Sequence, residues 1–128
     1  MSFLIDSHIL IWFATAPERL SESAMNVMLD VSKPKSISIV TAWELGIKVS
    51  LGKLDIGMGG ANFVQLQSAR NAFGILPVTL DHIRVAETLP LHHRDPFDRM
   101  LVAQCLADNL SLISADAAMD PYGVTRIW

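Results

Sequence analysis

Short apolar runs alternate along the chain with longer stretches of helical period, and this alternation most narrows the folds open to it. Ser2–Ile5, Ser36–Val40, Ile75–Val78 and Leu110–Ser114 read as strands, short and rich in apolar side chains. Helical patterns fill the gaps. They run from Asp6-Ser7 to the stop at Ala16-Pro17, from Ser21 through Met25, Val27, Met28 and Leu29, and from Thr41 to Gly52. Three more run from Ala61 to Phe73, from Thr79 to Leu89, and from Pro96 to Asp108. Strands separated by helices are not joined by hairpins, so they pair in parallel and bury both sheet faces under helices. Val124–Trp128 reads as a last edge strand, and Pro77 puts the third strand near an edge as well. The expected fold is therefore α/β, a three-layer α/β/α domain over residues 1–128 with a mainly parallel central sheet.

Composition removes several classes of function. Hydrophobic residues make up 51% of the 128 positions, yet no apolar run approaches the roughly 18 residues that span a bilayer. The early run Ile9–Ala14 follows an acid and a histidine, unlike a secretory leader. The expectation is a cytoplasmic protein, away from membranes, that hides apolar surface in a partner or a second copy. The single Cys105 excludes an intrachain disulfide and a multi-cysteine zinc site, and its apolar helical neighbours assign it to the core. A formal net charge of −3 argues against broad electrostatic binding of nucleic acid. Any such binding must come from a local basic patch or a bound cation.

Four acids stand out by position. Asp6 and Asp116 come just after strand-like runs, Glu44 follows the second run, and Asp98 opens the helix leading into the fourth strand. Each has a structural reading too. Asp6 can cap the first helix, and Thr41-Ala42-Trp43-Glu44 matches a capping box that would employ Glu44. In His92-His93-Arg94-Asp95-Pro96-Phe97-Asp98-Arg99, Asp95 suits the N-cap and Pro96 the first helical position, so Asp98 can reach back to the cap. Their shared position carries more weight than any one of them. Parallel sheets bind ligands at the carboxyl ends of their strands, where these acids would converge. Carboxylates that close raise one another's pKa or require a cation, and an oxygen-rich donor set selects a hard ion, Mg²⁺ or Mn²⁺. Such an ion polarises a phosphoryl oxygen and lowers the pKa of a bound water, which implies phosphodiester hydrolysis. His82 is expected at the surface or as a cap. His92 and His93, adjacent rather than one helical turn apart, are expected in a loop near the site and not as ligands.

Taken together, several segments resemble those of PIN-domain ribonucleases, particularly VapC-type toxins of type II toxin–antitoxin pairs. They are Leu4-Ile5-Asp6-Ser7-His8, Trp43-Glu44 with Lys48, Gly52-Lys53-Leu54, Leu76-Pro77, Arg94–Arg99, Ser114-Ala115-Asp116, Tyr122-Gly123 and Trp128. The resemblance covers essentially the whole chain. It implies a PIN-like fold and a Mg²⁺- or Mn²⁺-dependent endoribonuclease that cleaves RNA through metal-activated water and is held inactive by a cognate antitoxin. It also implies a homodimer. Carried over by position, the catalytic and metal-binding set is Asp6, Glu44, Asp98 and Asp116, with Asp120 competing for the fourth place. Lys48, Arg94, Arg99 and Ser114 are the candidate RNA contacts. Two other readings keep the fold: a phosphoacceptor receiver-like domain, and a catalytically silent binding module. The receiver needs paired acids after the first strand and a lysine after a late one, whereas Ser7-His8 follow Asp6 and Ser114-Ala115-Asp116 offers no lysine.

Overall fold

The computed structural model of the protein describes residues 2–128. Strands β1 (Phe3–Ile5), β2 (Lys35–Ser38), β3 (Gly74–Leu76), β4 (Ser111–Ile113) and β5 (Arg126–Ile127) form one sheet in the order β3-β2-β1-β4-β5. Every pairing is parallel. β1 is central, with Ile5 in register with Ile37 on one side and Ile113 on the other. The expected edges are the observed ones, β3 and β5.

Alternation along β1 divides the core. Phe3 and Ile5 point to one face, where they meet Ile9 and Leu10 of α1 (Ser7–Thr15), Ala24, Val27 and Met28 of α2 (Glu22–Leu29), Leu45 of α3 (Ile39–Ser50), and Phe63 of α4 (Gly60–Asn71). Leu4 points to the other face, against Leu101, Val102 and Cys105 of α6 (Pro96–Asp108) and against Met119 and Tyr122. Helix α5 (Leu80–Thr88) packs along α6. Helices on both faces of the sheet give the three layers expected. Cys105 is buried as foreseen, and burial pushes its thiol up to about 12. No helix among the described residues is long and apolar enough to cross a membrane.

Two local expectations are corrected, and one that named two alternatives is decided. Apolar Ile39 and Val40 extend the strand pattern of Ser36–Ser38, but β2 stops at Ser38, whose hydroxyl caps α3 by accepting from the Val40 N–H at 3.1 Å. Helix α3 therefore starts two residues before Thr41, and the Thr41–Glu44 capping box does not form. Thr41 Oγ1 has no hydrogen-bond partner among the described residues. Of the two readings of His82, surface or cap, the structure gives the cap. The residue is 1% exposed, its Nδ1 accepts from the Thr79 N–H at 3.1 Å, and its Nε2 lies 2.9 Å from Asp108 Oδ2. It thereby caps α5 and ties it to the end of α6.

The helix that carries Glu44 is seated by a glycine contact. A Cβ on Gly60 of α4 would overlap the backbone N of Gly46 and lie 2.5 Å from the carbonyl oxygen of Ala42, both on α3. Backbone cannot rotate away as a side chain can, so α4 must retreat from α3 to accept it. Gly60→Ala is expected to destabilise by roughly 1–3 kcal/mol, the usual cost of overpacking. It should lower the urea midpoint without changing the slope; an unchanged midpoint would show that this contact does not fix the α3–α4 distance.

Candidate active site

The sheet order reverses direction between β1 and β4, and it is at the carboxyl ends of strands around such a point that parallel sheets bind ligands. Asp6 ends β1 there and is 2% exposed. Its carboxylate is fully engaged. Oδ1 accepts from the Ser7 N–H at 2.8 Å, and Oδ2 accepts from Ser114 Oγ at 2.6 Å. His8 Nδ1 is 3.4 Å from Oδ2, while His8 Nε2 accepts from the Ala115 N–H at 3.0 Å, so the ring proton sits on Nδ1 and faces Asp6. Ser114, fully buried beyond β4, also accepts from the Asp116 N–H at 3.0 Å. One hydroxyl thus links the first acid to the backbone of the fourth.

Glu44 lies in the second turn of α3, buried to 4% exposure. Its Oε2 accepts from Lys48 Nζ at 2.7 Å, one helical turn on, and Oε1 has no hydrogen-bond partner among the described residues. A buried carboxylate oxygen left bare is costly, and it marks the point where a cation would be accepted.

Asp98 is the third residue of α6, after the cap Asp95, whose Oδ1 accepts from the Phe97 and Asp98 N–H groups at 2.9 and 3.4 Å. The expected reach of Asp98 back to the Asp95 N–H is replaced by His93, whose Nδ1 accepts that N–H at 3.2 Å. Asp98 is left to face inward. Its Oδ2 is 3.0 Å from His93 Nε2, and Asp116 Oδ2 is 3.7 Å from the same nitrogen. Burial, followed by the carboxylates of Asp6, Asp95, Glu44 and Asp116, pushes the Asp98 carboxyl up to about 8. Asp120 stands apart. Arg126 grips it through Nε and a terminal nitrogen at 2.8 and 3.0 Å, which holds its pKa low. The structure therefore gathers Asp6, Glu44, Asp98 and Asp116, and leaves Asp120 outside.

The expected RNA contacts divide. Lys48 is half-exposed and paired to Glu44, and that hydrogen bond raises its pKa. Arg94 is exposed. Arg99 is not available to a phosphate, because its two terminal nitrogens donate to the carbonyls of Ala86, Leu89, Pro90 and His93 and to the Tyr122 hydroxyl. Buried Ser114 is likewise out of reach. The residues that motif reading passed over are His8 and His93. Their signal lay only in closeness to an acid along the chain, and their tautomers are set by backbone N–H groups, that of distant Ala115 for His8 and that of Asp95, two residues on, for His93.

The donor set fits a hard divalent ion: four carboxylates, one with an orphaned buried oxygen and one whose pKa is raised first by burial and then by its neighbours. The sign of the pH effect follows. Folded, ion-free protein keeps the Asp98 proton to about pH 8, while the unfolded chain loses it near 3.8. Between these values the folded state binds more protons, so stability falls as pH rises.

Comparison with known proteins agrees with this architecture. The family model described as PIN domain matches residues 3–123. No curated protein matches by sequence. Among solved structures, VapBC2 from Rickettsia felis bound to a promoter DNA fragment is 14% identical, with a TM-score of 0.75 over 98% of this chain and 97% of that one. FitAcB from Neisseria gonorrhoeae is 16% identical, with a TM-score of 0.65 over 98% and 96%. A toxin–antitoxin complex from Klebsiella pneumoniae is 18% identical, with a TM-score of 0.59 over 89% and 86%. At these identities the likeness establishes a shared fold.

In EDTA, the wild-type protein is expected to lose stability between about pH 5 and pH 8, by up to roughly 1.4 kcal/mol per pH unit from Asp98. Asp98→Asn should flatten that slope and be the more stable protein near pH 8. Urea unfolding across the range measures it, and parallel slopes in the two proteins would remove Asp98 as the source.

Proposed function

Because the chain belongs to the PIN domain family, we propose that it is a VapC-type toxin, an endoribonuclease working as one nuclease domain over residues 1–128. The observation that carries the reading is the gathering of Asp6, Glu44 and Asp116 about Asp98, with Glu44 Oε1 buried and unpaired. Asp6, Glu44 and Asp98 hold Mg²⁺ or Mn²⁺, with Asp116 assisting. When bound, the ion supplies the charge that polarises a phosphoryl oxygen and lowers the pKa of water. The chain's own residues position the acids. Ser114 and Ser7 fix both oxygens of Asp6, and Lys48 fixes one oxygen of Glu44 and leaves the other unpaired. No covalent protein intermediate is part of this reading. Arg94 and the exposed part of Lys48 receive the RNA backbone.

A cognate antitoxin fits this reading. The similar solved structures include a toxin–antitoxin complex, and this chain exposes apolar side chains that water disfavours. Leu29 and Val31 stand at 62% and 98% exposure beside a groove of about 390 Å³ that Phe13 and Met28 also line. A second apolar groove of about 470 Å³, between Trp43, Ile39, Val78, Phe97 and Met100, suits the homodimer contact. The setting is the cytoplasm, where RNA and antitoxin are both at hand.

The purified chain should cleave single-stranded RNA with Mn²⁺ and stop on addition of EDTA. Asp6→Ala and Glu44→Gln should fall to background, whereas Thr41→Val, which removes a buried hydroxyl without a partner, should keep full cleavage and equal or higher stability. Expressed alone, wild type should arrest growth and Asp6→Ala should not. Ion at 100 times its Kd should add about 2.7 kcal/mol of stability to wild type and little to Asp6→Ala. Cleavage that survives in Glu44→Gln, or that ignores EDTA, would sink the assignment.

A further inference from the structure

His93, Asp98 and Asp116 each place one donor atom within 4.8 Å of the others, the spacing of a three-ligand metal site. The other ring nitrogen of His93 points to a different role. A ligating histidine presents a bare nitrogen to the ion and donates its second N–H to an acceptor. Here Nδ1 faces a donor, the Asp95 N–H at 3.2 Å, so Nδ1 is the bare nitrogen and the proton sits on Nε2. That N–H is 3.0 Å from Asp98 Oδ2 and 3.7 Å from Asp116 Oδ2.

The backbone of His93 is held as firmly as its ring. The Tyr122 hydroxyl accepts from the His93 N–H at 2.8 Å and donates to the His93 carbonyl at 3.3 Å. Arg99 donates to the same hydroxyl at 3.1 Å, to the Pro90 carbonyl at 2.9 Å and to the Leu89 carbonyl at 3.3 Å. Arg99 and Asp98 are neighbours on α6. The helix that carries the acid therefore also anchors the loop whose ring meets that acid.

We propose that His93 is a positioning residue and not a metal ligand: its Nε2–H, locked by the Asp95 N–H and by the Tyr122–Arg99 clamp, fixes Asp98 Oδ2 so that Oδ1 is the oxygen offered to the ion. This rests on the nuclease reading of the acid cluster. A donor in this place orders Asp98 before the ion arrives and leaves the ion an all-oxygen set, which suits Mg²⁺ and Mn²⁺.

The test is Mn²⁺ binding to the full chain, read from the electron paramagnetic resonance signal of free Mn²⁺, with pulsed detection of nitrogen bound to the captured ion. Wild type should bind Mn²⁺ and show no directly coordinated nitrogen. His93→Leu should bind about 10–100-fold more weakly, the usual loss when a partner that orients a ligand is removed. His93→Gln, whose side-chain amide offers an N–H in place of Nε2–H, should recover most of the affinity. Tyr122→Phe should weaken binding in wild type but add nothing to His93→Leu, because both act through one ring. Nitrogen coupling in wild type that disappears in His93→Gln would make His93 a ligand and overturn the proposal. Equal affinity of wild type and His93→Leu would overturn it too, and so would fully additive losses in the pair. If His93→Leu does not fold, His93→Gln and Tyr122→Phe decide between the same outcomes. A wild type that cleaves RNA and binds Mn²⁺ while these variants match it refutes only the role of His93. A wild type that binds no Mn²⁺ refutes the nuclease reading itself.

Discussion

A carboxylate taken out of water at the end of the central strand sets the terms for the rest of this molecule. Asp6 is 2% exposed, and removing a charge from solvent costs several kcal/mol unless hydrogen bonds replace the water. The replacements come from the adjoining Ser7 and His8 at the start of α1 and from Ser114, far along the chain beyond β4. Ser114 reaches Asp6 only because β4 pairs with β1 in a register that sets Ile5 against Ile113. A slip of one residue would turn Ser114 away and leave Asp6 short of a donor. Sheet register and site geometry are therefore one constraint, met by the same hydrogen bonds.

Helix capping explains how the other acids stay free to act. An acid near a helix N-terminus is ordinarily drawn to the unpaired N–H groups there. In α3 Ser38 takes that duty four residues after Pro34 and well before Glu44, so Glu44 sits past the first turn with only Lys48 as a partner. In α6 Asp95 caps with its own carboxylate, and His93 accepts the Asp95 N–H that Asp98 would otherwise have claimed. Both acids are released by neighbours that do the structural work. What remains is strain: Asp98 holds a proton to about pH 8 because burial, and after it the carboxylates of Asp6, Asp95, Glu44 and Asp116, disfavour its charged form. A fold optimised for stability alone would replace one of them.

The elements that local sequence decides were the ones open to reading. Pro96–Asp108 follows from a cap, a proline at the first position and a left-handed Asn109 at the end. β1 and β4 follow from unbroken apolar runs, and their parallel pairing from the helices between them. The β2–α3 boundary was hidden because Ile39 and Val40 are β-branched and fit either state, and because Thr41–Glu44 imitates a helix start three residues too late. The acids themselves were legible, since each falls beside an element end. Arg99 was not. A guanidinium next to an acid in a suspected nuclease site looks the same in sequence whether it meets a phosphate or, as here, the carbonyls that end α5. Only the packing of α5 on α6 distinguishes the two. His93 is the same case in reverse, a loop residue whose role depends on a backbone N–H two positions away and a tyrosine hydroxyl from the far end of the chain.

Charge distribution gives the proposed function a conditional character. A net charge of −3 repels a polyanion at long range, and the site itself adds four acids that an incoming phosphate must meet. The nearby cations offset this only in part, because Lys48 is paired to Glu44 and Arg99 is bound to carbonyls, which leaves the exposed Arg94. In the proposed function, most of the positive potential at the site therefore comes from the ion. On that reading, a divalent cation held by the carboxylates would share Glu44 with Lys48 and free the lysine in part to meet a phosphate. Ion and RNA then favour each other through the same residues, and this coupling is reciprocal by thermodynamic necessity. An antitoxin that presented a basic side chain to the acids would compete with both ligands at once. It would not need to fill the site, only to supply the charge that the ion otherwise brings.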